Sequence, residues 1–193
     1  MNIPVRQQYF SPDEYLELER QSPFKHEYQR GLVYAMASGK KSHVQITHNL
    51  DRLLGNHLAD SPCLVYASDM KVKIETADCY YYPDISVTCD KQDRETNNDF
   101  ILAPQLIVEV LSKSTEQFDR TDKFLDYQRI PSLQEYVLVS QDKIQVECYR
   151  KQHSGEWISQ CYGVGGSVEI ESMGFQCAIE QIYNKVLGLQ GFE

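Results

Sequence analysis

Apolar and polar residues repeat at helical spacing in three stretches of the chain. The first stretch, 12–21, follows a serine and glutamate pair, Ser11 and Glu14, that has the spacing of a capping box, so a helix is predicted to begin there. Residues 42–59 place their apolar side chains on one helical face, and residues 115–129 predict a third helix. These helices alternate with strand-like segments, which predicts an α/β (α+β) fold.

Between the helices, short apolar runs and alternating patterns predict strands. Residues 106–111 are apolar except for Glu109, which is typical of a central strand that is covered on both faces. Residues 90–99 are polar, and we interpret them as a solvated loop, with a flexible lid over a site as the alternative. The other predicted elements are two short strands within 26–36, strands at 64–74, 85–88, 135–139 and 144–150, a hairpin at 157–170 and a short helix at 178–187.

Length and hydropathy bound the class of protein. The chain has 193 residues, which favours one domain that can bury its own core. No apolar run approaches the roughly 20 residues that a membrane-spanning helix needs. The first residues also lack the apolar segment of a signal peptide. We therefore expect a cytoplasmic protein with no membrane partner.

Charge and cysteine content narrow the kinds of site. The net charge of −9 argues against a protein that coats nucleic acid generally, because such a protein would be basic. It does not exclude a nuclease, since a local cationic groove or a bound divalent cation can offset the charge at one place. The six cysteines form no C-x-x-C pair, so we expect no zinc site and reduced, structural thiols.

Two carboxylates in or beside buried strands are the best candidates for chemistry. Asp84 precedes an apolar strand, and Glu109 lies within the next one, 25 residues on. A carboxylate in an apolar run costs several kcal/mol unless something pairs with it. Each acid alone could pair with a buried Lys or Arg, or lie at the surface. Together on adjacent strands they would repel each other, and Mg²⁺ or Mn²⁺ would relieve that repulsion and could activate a water.

Three basic residues follow the second carboxylate closely enough to reach it. Lys113 lies past the end of the strand, and Arg120 and Lys123 lie on the next predicted helix. A cation at this place would orient a water molecule or neutralise the transition state of a phosphoryl reaction. The alternative for any one helical lysine is exposure to solvent.

A longer series of residues surrounds these candidates in a particular order. It consists of Tyr82-Pro83-Asp84-Ile85, 104–112, Ser114-Thr115, Asp119, Asp122-Lys123, Tyr127 and 131–139. This series resembles the Uma2 family, whose members are assigned to the PD-(D/E)xK restriction-endonuclease-like fold. The resemblance extends from about Phe10 to Leu187 and is strongest from Tyr82 to Val139. It implies a mixed central β-sheet flanked by helices, with an extra N-terminal helix and β-hairpins.

The resemblance assigns roles to individual residues. Asp84 and Glu109 match the two acidic metal ligands of the family, and the backbone carbonyl of Val110 is implied as a further ligand. The usual lysine two residues after the second acid is missing, because Leu111 occupies that position. The resemblance implies that in this family the lysine lies on the following helix instead. The corresponding residue here is Lys123.

Two more residues, Glu27 and His43, receive roles from the same resemblance, and Arg120 is a further candidate from its place on the predicted helix. Glu27 matches an acidic residue near the family's N-terminal strands and is expected to join the metal site, and His43 matches a histidine that opens the second helix. His43 and Arg120 are expected to contact substrate, although His43 could instead be a helix-terminal side chain that packs against Tyr or Leu. The implied function is a metal-dependent endonuclease that hydrolyses DNA phosphodiester bonds, with DNA as partner and a homodimer as the assembly.

The expected domain organisation is a single endonuclease-like domain over 1–193. It comprises an N-terminal helix and hairpin arm at 1–36, a nuclease core at 42–139, and C-terminal strands and a helix at 144–193. Two other functions stay open at this point. The chain could be a non-catalytic nucleic-acid-binding or regulatory module on the same fold, or a structural interaction protein in which a metal only holds the fold together.

Overall fold

Three β-sheets organise residues 9–36 and 39–189, the part of the chain that the computed structural model describes. No helix in this part is long and apolar enough to cross a membrane. The helices are α1 Pro12–Gln21, α2 Lys41–His57, α3 Lys91–Glu95, α4 Glu116–Arg120, α5 Asp122–Tyr127 and α6 Ile179–Ile182. The strands are β1 His26–Gln29, β2 Leu32–Ala35, β3 Leu64–Ala67, β4 Lys71–Ile74, β5 Cys79–Tyr81, β6 Ile85–Thr88, β7 Phe100–Ile101, β8 Leu106–Leu111, β9 Glu135–Ser140, β10 Val146–Lys151, β11 Trp157–Tyr162, β12 Ser167–Ile170 and β13 Phe175–Ala178.

The central sheet has six strands in the order β11-β10-β9-β8-β6-β3. β8 and β9 run parallel, and the other neighbours are antiparallel. All six residues of β8 are buried, because alternate side chains enter two different apolar cores. Val108 packs in the core that contains α2, whereas Ile107 packs in the core that contains Phe124 of α5. A mixed sheet flanked by helices is therefore confirmed.

A second sheet, of five strands in the order β2-β1-β5-β4-β7, carries the N-terminal part of the chain. Helix α1 packs on it through three buried tyrosines, Tyr15, Tyr28 and Tyr80, whose ring centroids lie 5.2 to 5.9 Å apart. The hydroxyl of Tyr15 donates to the carbonyl of His26, so the ring is buried while its polar atom is satisfied. The third sheet pairs β12 with β13.

The predicted helices are confirmed at their starts, but one of them is divided. α1 begins with the capping box of Ser11 and Glu14, and α2 covers almost the predicted range. The continuous helix predicted at 115–129 is wrong, because the chain breaks into α4 and α5 at Thr121, which has φ −121° and ψ −96°. The hydroxyl of Thr121 donates to the carbonyl of Gln117, a side-chain bond of the kind that bends helices.

Several strand predictions also need correction. The segment 64–74 is two strands in different sheets, separated by Ser68, which has a positive φ of 55°. The predicted loop at 90–99 contains the short helix α3, whose N-cap is Asp90. The hairpin predicted at 157–170 does not form, because β11 pairs with β10 and β12 pairs with β13. The last helix, α6, is shorter than the predicted 178–187.

The expectation that all cysteines are reduced is wrong for one pair. Cys63 and Cys89 form a disulfide between the ends of β3 and β6. The strand register explains this contact, because Leu64 pairs with Thr88 and the next residues outward are the two cysteines. Among the free cysteines, Cys161 is exposed and the others, Cys79, Cys148 and Cys177, are buried.

Candidate active site

The two carboxylates singled out by the sequence meet at the junction of β6 and β8. Asp84 immediately precedes β6, and Glu109 lies inside β8. The antiparallel register pairs Ile85 with Val108, so one further step along each strand sets Asp84 opposite Glu109. Opposite residues of neighbouring strands bring their Cβ atoms within about 5 Å. The adjacency predicted from the strand pattern is therefore present in the fold.

Both carboxylate oxygens of Asp84 have partners. Its Oδ2 accepts a hydrogen bond of 2.7 Å from the backbone N–H of Val110. Its Oδ1 lies 2.7 Å from Nε2 of His43, in the first turn of α2. Burial lowers the pKa of His43, but the hydrogen bond and charge of Asp84 outweigh burial and raise that pKa above its ordinary value. His43 and the β6–β8 junction thus hold the Asp84 carboxylate in one orientation.

The ammonium of Lys123, from α5, lies among three other carboxylates. Its Nζ is 2.9 Å from Oε1 of Glu109, 3.0 Å from Oε1 of Glu27 and 3.8 Å from Oδ1 of Asp119. Lys123 is only 5% exposed. Glu27 comes from β1 and also accepts a hydrogen bond from the backbone N–H of Tyr82. Residues from the second sheet, the central sheet and the helices therefore converge on one buried ammonium.

This group carries more negative than positive charge. We call Glu27, Asp84, Glu109, Asp119 and Lys123 the Lys123 cluster. Burial raises the pKa of Glu109 well above its ordinary value; Lys123 opposes this, while Asp119 and Asp84 raise it further. Burial likewise raises the pKa of Asp119, again opposed by Lys123. Raised carboxyl pKa values in a group with specific charged neighbours are typical of functional sites.

Sequence reasoning gave no role to three residues that complete the cluster. Asp119 lies four residues before Lys123, and Tyr127 lies four residues after it, where its hydroxyl donates to Oε1 of Glu109 at 3.3 Å. The ring of Tyr81 faces the ammonium, with its centroid 5.4 Å from Nζ. The i,i+4 spacing around Lys123 was the signal in the sequence that could have identified the first two.

Two of the predicted basic residues do not join the carboxylates. Arg120 donates two hydrogen bonds, of 2.8 and 2.7 Å, to the carboxylate of Glu147 on β10, and a third of 2.9 Å to Glu116. Lys113 is exposed in the turn after β8. Of the three cations that follow Glu109, the fold brings Lys123 to the acids.

The donors present can be compared with what a divalent cation needs. Within residues 9–36 and 39–189, no three His, Cys, Asp or Glu side chains are arranged to hold a metal ion. Asp84 and Glu109 supply two carboxylates, and the predicted third donor, the carbonyl of Val110, belongs to the backbone. Carboxylate and carbonyl oxygens are the donors that Mg²⁺ prefers, and the excess negative charge of the cluster also suits a cation. The chemistry of these donors therefore suits a divalent cation.

Comparison with known proteins supports the resemblance seen in the sequence. One relative, "Uncharacterized protein slr1290" of Synechocystis sp. (strain ATCC 27184 / PCC 6803 / Kazusa), is 42% identical over 173 residues, which cover 90% of each chain. A second protein of the same organism, "Uncharacterized protein sll1609", is 35% identical over 162 residues, covering 83% of this chain and 92% of that one.

A solved structure shares the fold. It is the crystal structure of "a putative nuclease belonging to DUF820" from Anabaena variabilis ATCC 29413, which superposes with a TM-score of 0.77 and 18% identity over 92% of this chain and 99% of that one. Residues 12–182 match the family Uma2, described as "Putative restriction endonuclease". The chain belongs to the Uma2 family.

Proposed function

We propose that this protein is a metal-dependent endonuclease that hydrolyses DNA phosphodiester bonds. The observation that carries the proposal is the Lys123 cluster, in which three carboxylates contact one buried lysine and a fourth, Asp84, lies opposite Glu109 at the junction of β6 and β8. A purely structural ion pair needs one carboxylate for one cation, whereas this arrangement leaves negative charge that a divalent cation would balance. The family description agrees with the class of enzyme.

In this proposal Asp84, Glu109 and the carbonyl of Val110 would hold Mg²⁺ or Mn²⁺. Such an ion, when bound, supplies a water of lowered pKa and offsets the charge on a phosphate. His43 and the N–H of Val110 keep the Asp84 carboxylate oriented. Glu27 is also a predicted metal ligand; its 3.0 Å contact with Nζ suits a residue that positions Lys123.

Lys123 is the proposed electrophilic residue. Its Nζ is a hydrogen-bond donor held by fixed carboxylates in a buried site, where a positive charge stabilises a developing phosphoryl charge more strongly than in water. The resemblance assigned this role to Lys123 without its partners, and the contacts to Glu27 and Glu109 now support it. A substrate role for Arg120 has less support, since Glu147 holds its guanidinium.

DNA as the substrate, a cytoplasmic location and a two-fold dimer remain parts of the proposal. A dimer would cut both strands of a duplex with two copies of the same site.

Cleavage of plasmid DNA in Mg²⁺, in Mn²⁺ and in chelator tests this function. We expect the wild type to cut only with a metal. Asp84→Ala and Lys123→Ala should each lower the rate by about 100-fold or more. The matched control is Lys113→Ala, which removes an exposed lysine from the turn between β8 and α4 and should cut at the wild-type rate.

Thermal melting of each variant must show a folded protein for the comparison to hold. Cleavage by Lys123→Ala at the rate of Lys113→Ala would overturn the role of Lys123. A wild type that binds a labelled duplex but cuts it with neither metal would overturn the enzyme and favour the non-catalytic binding module.

A further inference from the structure

A polar pocket of about 600 Å³ opens beside the Lys123 cluster, between the end of α1, the start of β4 and the chain before β7. We call it the Lys71 pocket. Its wall includes Phe24, Lys25, Lys71, Tyr82 and Asn98. The proposed reaction leaves these residues without a role.

Lys71 is a buried cation that faces this pocket without a carboxylate partner. It is 7% exposed, and its Nζ donates a hydrogen bond of 3.2 Å to the hydroxyl of Tyr82 and lies 5.2 Å from the centroid of that ring. Among the described residues, no carboxylate forms an ion pair with it. Burial lowers the pKa of Lys71, while Asp99 and Glu19 raise it from longer range. An ammonium buried in this way is stabilised by an anion in the pocket.

The acids that line the same pocket are engaged by other groups. Glu19 accepts from the hydroxyl of Tyr82 at 2.9 Å and pairs with His26 at 3.1 Å. The two remaining pairs are Asp69 with Lys25 at 2.8 Å and Asp99 with Arg20 at 3.4 Å. Among the described cations of the pocket, Lys71 is therefore the one whose charge is not matched by a contact.

Two hydrogen-bonded links join the Lys71 pocket to the Lys123 cluster. The backbone N–H of Tyr82 donates to Glu27, the same carboxylate that contacts Lys123. On the other side, Nζ of Lys25 donates to the carbonyl of Ser68 at 3.0 Å, and the N–H of Ser68 donates to the carbonyl of Asp84 at 3.0 Å. These links place the pocket within one hydrogen bond of Glu27 and two of Asp84.

An exposed aromatic ring completes the surface. Phe24 is 71% exposed at the wall of the pocket and directly precedes Lys25. Cations that follow a phosphate backbone, together with an aromatic ring on which a base can stack, are the combination that proteins use for nucleic acid strands. The exposed ring therefore favours a nucleotide over a simple anion as the ligand of the pocket.

We propose that the Lys71 pocket binds a backbone phosphate of the nucleic acid whose neighbouring phosphate reaches Asp84 and Glu109. Lys71 contacts that phosphate, Lys25 provides the second cation, and Phe24 stacks on the adjacent base. This inference rests on the proposed function, since it assigns the path of the same substrate.

Binding of a short fluorescent single-stranded DNA, followed by anisotropy in chelator, tests the pocket apart from cleavage. Lys71→Met should weaken binding about ten-fold and lower the slope of log Kd against log salt by about one, because one phosphate contact is lost. The matched control is Lys73→Met on the same strand, since Lys73 pairs with Glu75 at 2.8 Å and lies outside the pocket. It should change the affinity less than two-fold.

Equal affinities of Lys71→Met and Lys73→Met would overturn the inference. So would a Lys71→Met protein that loses binding of inorganic phosphate but keeps the wild-type affinity for DNA, since the pocket would then be a site for the free anion. If Lys71→Met fails to melt cooperatively, Lys25→Met carries the same test from a more exposed position. DNA binding is measured without metal and is therefore independent of cleavage. A wild type that binds DNA but never cuts it would overturn the proposed enzyme, and the affinities of these variants would still show whether the pocket binds DNA.

Discussion

Two buried cations in this molecule, Lys123 and Arg150, are surrounded in opposite ways. Arg150 on β10 donates from Nε to Glu135 at 2.7 Å and from its other nitrogens to Gln160 and Tyr162. Glu135 in turn accepts from the backbone N–H of Ser172 at 2.8 Å. The exposed carboxylate of Glu171 also lies 2.9 Å from Nη1 of Arg150, so the buried pair of Glu135 and Arg150, which we call the Arg150 network, has one further carboxylate at its surface.

The position of the Arg150 network explains why its buried polar groups are paired. Glu135 and Arg150 lie on paired strands of the central sheet, and Ser172 lies between β12 and β13. The network therefore joins the third sheet to the central one. The Lys123 cluster joins three parts of the fold in a similar way, but it does so with excess carboxylates whose pKa values are raised. In the Arg150 network one buried carboxylate faces one buried cation, and the additional buried carboxylates are what separates the candidate site from it.

The same substitution at both places should have opposite effects, and the larger one is expected in the Arg150 network. Glu135→Gln would remove the buried carboxylate of Arg150 and leave it only the exposed Glu171, so we expect the free energy of unfolding to fall by about 3 kcal/mol. Urea denaturation followed by circular dichroism measures this loss. A fall of less than about 1 kcal/mol would show that the hydrogen bonds to Gln160 and Tyr162 suffice for Arg150.

The second largest effect is expected from a divalent cation, which should bind at the Lys123 cluster and not at the Arg150 network. Mn²⁺ at about 100 times its Kd should stabilise the folded protein by about 2.7 kcal/mol. Asp84→Ala should abolish both this stabilisation and the heat of binding in calorimetry. The control is Lys143→Ala, an exposed lysine in the turn between β9 and β10, which should bind the ion like the wild type. Equal stabilisation of Asp84→Ala and the control would exclude Asp84 as a ligand.

The smallest effect is expected for Glu109→Gln, and its sign is the opposite of that for Glu135→Gln. We expect the metal-free protein to gain on the order of 1 kcal/mol at neutral pH, because the substitution relieves crowding among buried carboxylates. The pKa of Glu109 is raised above about 4.5 in the folded state. Below that pH the carboxyl is protonated in both states, so its contribution to wild-type stability is fully present there and is lost as pH rises through the folded pKa.

The gain of Glu109→Gln over the wild type should therefore be near zero at acid pH and grow as pH rises. Melting temperatures of both proteins across this pH range measure the difference. A gain in stability that stays constant with pH, or a loss of stability at neutral pH, would contradict this prediction. It would mean that Glu109 forms a stabilising ion pair with Lys123, as Glu135 does with Arg150.

Local patterns in the sequence were sufficient for the framework of the site. The capping box of α1, the doubly covered strand β8 and the adjacency of Asp84 and Glu109 follow from periodicity and from acids placed in apolar runs. The break at Thr121 was not predicted, because a threonine inside a helical pattern can bond to solvent or to the previous turn.

Only the tertiary structure decided which charged side chains contact each other. Glu27 reaches Lys123 from 96 residues away in the sequence, and Cys63 meets Cys89 across two strands. Lys71 is buried with no carboxylate of residues 9–36 or 39–189 paired to it. Periodicity shows that a side chain is buried but not what lies opposite it, because the partners come from other sheets and helices. The sequence by itself determined the strands that bring two acids together, and the packing of separate sheets decided the charge around them.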